Sequence, residues 1–117
     1  MTKKWNLLIG VVAALMMVGV VACTVTDSSP QDLVAKNDHA GLETWYVKEA
    51  AHLRTRTKDM MAMAEVYQRI QGPSTPAADA AKIVLFQHCQ TLAANYAKAA
   101  DEAEMIAHAH REMKDHF

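Results

Sequence analysis

The chain has 117 residues, with 12 Lys and Arg against 13 Asp and Glu, six His and two Cys. A single small domain is the most that this length accommodates. Without Lys3 and Lys4, 10 basic residues face 13 acidic ones, a net charge of −3. That leaves no basic stripe to attract nucleic acid or anionic lipid headgroups.

Lys3 and Lys4 form a positive start, and Asn6 to Ala22 is an almost unbroken apolar run closed by a small residue. This is the layout of a secretory signal rather than of a folded element. Val20-Val21-Ala22-Cys23 places a cysteine at the cut site behind two aliphatics and an alanine. Residues 1–23 resemble the lipobox signal of bacterial lipoproteins. The resemblance implies that residues 1–22 are removed and that Cys23 becomes the first mature residue. Cys23 would then carry several acyl chains (palmitate among them) and hold the protein on a membrane. Thr24, where Asp would retain a lipoprotein at the inner membrane, implies sorting to the outer membrane of a Gram-negative host. Left uncleaved, the 17 residues from Asn6 to Ala22 would sit at the short end of a bilayer span, for which about 20 are usual. The lysines would keep their own side in the cytoplasm. Either way, the rest of the chain is expected outside the cytoplasm, facing the periplasm or the cell exterior.

Residues 24–37 carry Ser, Thr, Asp and Pro without a helical or alternating apolar pattern. With Cys23 they predict a lipidated, flexible tether over 23–37. Asn37 or Asp38 suits a helix N-cap. From His39 to about Gln71 there is no Pro, and the single Gly is Gly41 in the first turn. The stretch is rich in good helix formers. Gly72-Pro73-Ser74-Thr75-Pro76 breaks it, with Gly72 suited to C′, Thr75 to N-cap and Pro76 to N1 of a second helix ending near Lys114. The expected fold is all-α: residues 38–117 form an antiparallel, coiled-coil-like hairpin of two helices.

Seven-residue spacing supports the hairpin. His39, Tyr46, Leu53, Met60 and Tyr67 recur in the first helix; Cys89, Tyr96, Ala103 and His110 recur in the second. Leu85, Leu92, Ala99 and Ile106 are expected to supply the companion row of the second helix. Creasing the chain between Ser74 and Thr75 sets His39 against His110, Tyr46 against Ala103, Leu53 against Tyr96 and Met60 against Cys89. Two helices alone bury too little for stability in water. The flank of Ala93, Ala94, Ala97, Ala100 and Ala107 would admit another backbone closely. The expectation is a homodimeric four-helix bundle, unless a different envelope protein supplies the missing helices.

Two clusters are candidate metal ligands. Cys89 lies beside His88 and opposite Met60, with Met61 and Met63 near. Thiolate, thioether and imidazole together suit a soft ion, copper more than zinc. Alternatively, Cys89 is a small buried hydrophobe and the methionines fill gaps, or Cys89 bridges two hairpins as a disulfide. His39 and His110 form the second cluster at the open end, and a dimer would gather four imidazoles suited to zinc or copper. The competing reading is a pair of solvated end residues, with charged His110 favoured by the helix dipole. His108 and His110, two apart, point about 200° away from each other. His52, His108 and His116 read as solvated, and Tyr46, Tyr67 and Tyr96 as structural.

The chain contains no Cys-x-x-Cys-His, His-Glu-x-x-His, glycine-rich phosphate loop or Gly-x-Ser-x-Gly, so no enzyme is expected. His88-Cys89-x-x-Leu92-x-x-x-Tyr96-x-x-Ala99-Ala100-x-Glu102 and Ile106-Ala107-x-x-His110-Arg111-x-Met113 resemble a pattern recurrent in small bacterial lipoproteins of unknown function. Met60-Met61-Ala62-Met63-Ala64-x-x-Tyr67 is similar to a stretch of that pattern in which histidine often replaces Met60. The resemblance implies the two-helix hairpin and brings no activity. The function expected is that of a lipid-anchored structural or interaction module of the envelope, with a small metal-binding lipoprotein as the alternative.

Overall fold

A computed structural model describes residues 28–116. Cys23, the leader before it and the first residues of the expected tether lie outside that range. Three helices follow in order: α1 (Pro30–Ala35), α2 (His39–Arg69) and α3 (Pro76–His116). The protein is all-helical over the described residues, and the two long helices pack against each other along their length. At 31 and 41 residues, they extend about 46 and 62 Å at 1.5 Å per residue.

The short α1 departs from the patternless tether expected before residue 38. Local chemistry explains it. Ser29 is the N-cap, its Oγ accepting from the Asp32 backbone N–H, and Pro30 enters the first turn without needing a donor. Asn37 then takes φ 54°, the left-handed conformation that ends helices. Its N–H donates to the Val34 carbonyl at 3.0 Å, and that of Asp38 donates to the Leu33 carbonyl at 2.9 Å. These are the two bonds of a Schellman stop. Asp38 starts the next helix at once, Oδ1 accepting from the Gly41 N–H at 2.8 Å. Leu33 is buried, which ties α1 to α2.

Gly41 makes this junction possible. A Cβ there would stand 2.6 Å from Asp38 Oδ2 and 2.8 Å from Leu33 Cδ2. Gly41→Val should therefore dislodge both the cap and the leucine, with loss of the cap alone costing about 1 kcal/mol. Hydrogen exchange should show faster loss of protection at Asn37 and Asp38, while the middle of α3 stays unchanged.

At the far end, Thr75 caps α3 as its sequence suggests, Oγ1 accepting from the Ala78 N–H at 3.2 Å. Ser74 Oγ donates to Asp79, the main cause of that carboxyl's lowered pKa. Gly72 does not serve as a left-handed C′ residue; α2 closes instead through Ile70, whose N–H donates to the Val66 carbonyl.

The core is made of small residues. Among the described residues, the buried apolar side chains are Leu33, Leu42, Ala50, Ala64, Cys89, Ala93, Ala100, Ala103 and Ala107. The row of α3 that completes the seam is thus Phe86 (half-buried), Ala93, Ala100 and Ala107. The expected companion row falls outside it: Leu85, Leu92 and Ile106 remain 43, 45 and 38% exposed. Of the alanines read from the sequence as a flank for another molecule, Ala93, Ala100 and Ala107 line the contact within the pair instead, while Ala97 is half-buried and Ala94 exposed. Small side chains let two helix axes approach closely, and that approach pushes the larger residues to the edge.

Candidate functional site

His39 and His110 meet where the first turn of α2 lies beside the last turns of α3. Their Nδ1 atoms are 3.1 Å apart, as the crease between Ser74 and Thr75 requires. At that separation one ring nitrogen can donate a hydrogen bond to the other, the roles set by the tautomers. The rings stack at a centroid separation of 5.3 Å, and Tyr46 stacks on His110 at 5.9 Å. Trp45 meets Tyr46 edge-on at 4.9 Å. Both histidines are half-buried, so the open end of the pair closes with an aromatic layer rather than with solvated imidazoles.

A clamp of charge sits next to this layer. Glu43 accepts from Arg111 Nε at 2.6 Å and from Lys114 Nζ at 2.7 Å, and keeps only 14% of its side-chain exposure. These bonds, Lys114's first and then Arg111's, hold its carboxyl below the usual range. A carboxyl lowered on folding adds stability above its ordinary pKa and loses it as pH falls through the lowered value. The open end should therefore loosen in acid below about pH 4.5, the ordinary value of Glu43. In Glu43→Gln this acid-dependent part should vanish from a thermal-melting series run from pH 7 to 3. Farther along the same edge, Arg54 bonds Asp101 at 3.1 Å and Glu104 at 2.7 Å. These ion pairs bridge residues whose numbers sum to between 154 and 158, about a turn or more beyond the 149 of the histidine pair, within reach of long charged side chains.

The sulfur-rich candidates are not gathered in the same way. Cys89 is buried as a free thiol and Met60 is half-buried on the facing helix, whereas His88 is exposed and Met63 stays 43% exposed. Adjacent residues on a helix diverge by about 100°, so His88 leaves the seam that Cys89 enters. Among the described residues, no group of three or more His, Cys, Asp or Glu side chains is placed to hold a metal ion. None of the helices described is long and apolar enough to cross a membrane. Sequence reasoning missed Glu43 as the centre of the charge clamp and Tyr46 as the histidines' stacking partner. The signal for Glu43 was its place four residues after His39, opposite a basic end of α3.

No protein-family model matches the chain, and neither does any curated protein or solved structure.

Proposed function

We propose that the protein is a lipid-anchored interaction module of the bacterial envelope: a helical hairpin, held to the membrane through Cys23, that works by presenting its long flank to a partner helix pair. The observation that carries the interaction part is the distribution of size in the core. Leu33 and Leu42 are the only large aliphatic side chains buried among the described residues, against thirteen large apolar ones left exposed. A pair built that way leaves most of its hydrophobic stabilisation unused until something covers it. The anchoring part is supported by the lipobox string ending at Cys23, and the expected location is the periplasmic face of the outer membrane. Neither reading calls for nucleic acid or for catalysis.

The mass of the mature chain tests the anchor. A mature N-terminus at Cys23 bearing acyl chains is expected, with Cys23→Ser accumulating at the unprocessed mass. An unmodified Cys23 would remove lipid anchoring from the account.

The histidine pair favours a second reading, metal binding at His39 and His110. Two nitrogen ligands of a tetrahedral zinc ion lie about 3.3 Å apart at bond lengths near 2.0 Å, close to the 3.1 Å observed. A metal would replace the shared proton, with water or a second copy of the chain completing its coordination. Thermal melting with zinc or copper separates this site from the sulfur-rich one. A rise lost in His110→Ala but kept in Cys89→Ala assigns the histidines; the opposite pattern assigns Met60 and Cys89. No rise in the unmodified chain removes both.

A further inference from the structure

We infer that the apolar edge of α3 is covered by a second copy of this chain, its own α3 running antiparallel about a two-fold axis at Ala99. The inference deepens the interaction-module reading and rests on it. Leu85, Leu92, Ala99, Ile106 and Met113 recur at intervals of seven along α3. The four large ones are exposed to nearly the same degree, 43, 45, 38 and 41% in chain order. They form one strip beside the buried seam, successive members about 10.5 Å apart. From residue 85 to 113 it extends about 42 Å, and at one helix width of about 10 Å it covers on the order of 400 Å². An apolar patch of that size, within the roughly 300–600 Å² of the largest on an ordinary monomer, is often functional. A seven-residue period is also what a supercoiled partner helix follows.

The opposite edge of the pair is already occupied. There Arg54 holds Asp101 and Glu104, and Glu43 holds Arg111 and Lys114. The apolar side is thus left for association, and the order of sizes along it suits a second copy. Large, large, small, large, large reads the same in both directions from Ala99. A two-fold interface pairs position i with j and j with i, so this order sets the large residues against one another on either side of a small centre. With the axis at Ala99, Leu85 lies against the second copy's Met113 and Leu92 against its Ile106. Ala99 meets itself where the backbones come closest. In the row just outside the strip, Asn95 comes within one position of the second copy's Glu102, an amide donor beside a carboxylate. Cys89 lies ten residues, about 15 Å, from the axis. The two thiols would then be about 30 Å apart, far beyond the reach of a disulfide.

The test uses the full-length chain in mild detergent. With Cys89→Ala as the parent, Ala99→Cys should give a covalent dimer under gentle oxidation. Ala94→Cys, exposed on another side of the same helix, should cross-link no more than the parent. Ile106→Glu should raise the dimer dissociation constant roughly a hundredfold, because it buries an unpaired charge, with helical circular dichroism retained. If Ala99→Cys cross-links no better than Ala94→Cys, or if Ile106→Glu stays dimeric, this interface is wrong, and a dimer that persists forms on another face. An unmodified chain that is monomeric at tens of micromolar overturns the dimer and this interface together.

Discussion

Substitution of leucine for Ala100 is expected to destabilise the protein by about 3 kcal/mol, the upper end of the cost of overpacking a filled core. Ala100 is fully inaccessible, 0% exposed, at the middle of the seam between α2 and α3. The seam admits close approach only because Ala50, Ala64, Ala93, Ala103 and Ala107 line it as well. Three additional carbons there have no void to enter, so the helices must separate, and separation loosens the neighbouring alanine contacts. Ala94→Leu, six residues earlier and exposed, should change stability by less than about 0.5 kcal/mol. Urea unfolding of both variants at one protein concentration reads the difference. Equal effects would mean that α3 turns a different side to α2.

Leu42→Ala should cost about 2–3 kcal/mol, the lower half of the range for a buried leucine. Leu42 is the largest fully buried side chain described, 2% exposed. It lies in the first turns of α2, its N–H bonded to the Asp38 carbonyl at 3.0 Å. The void should close in part, because α1 is a six-residue helix with few ties of its own. Protection from exchange should fall first around Leu33 and the histidine pair, then globally. A loss below 0.5 kcal/mol would show that this end of the molecule contributes little to the fold.

Much of the architecture was legible in the sequence, and the failures have physical causes. The punctuation at Gly72–Pro76 located the break between the long helices to within two residues of their ends. The spacing of His39, Tyr46, Leu53, Met60 and Tyr67 marked a half-buried row of α2 beside the buried Ala50 and Ala64, and the crease brought His39 to His110. The companion row of α3 departs from expectation because apolarity alone does not decide burial. In a close helix contact, size decides: Ala93, Ala100 and Ala107 are admitted, while Leu85, Leu92 and Ile106 are displaced to the edge. The helix Pro30–Ala35 is too short for periodicity to reveal. Its signals were the cap pair Ser29-Pro30 and an asparagine suited to a left-handed stop. Of the candidate site residues, the histidines were legible through register alone. His88 and Met63 were grouped with Cys89 by nearness in sequence, which on a helix does not mean nearness in space.

The most direct measurement is the native mass of the full-length protein extracted gently from membranes. A particle of twice the mature mass is expected, each chain beginning at an acylated Cys23 and releasing as a monomer once Ile106 is replaced by glutamate. A single unmodified chain in that spectrum would contradict both the anchor and the covered edge of α3.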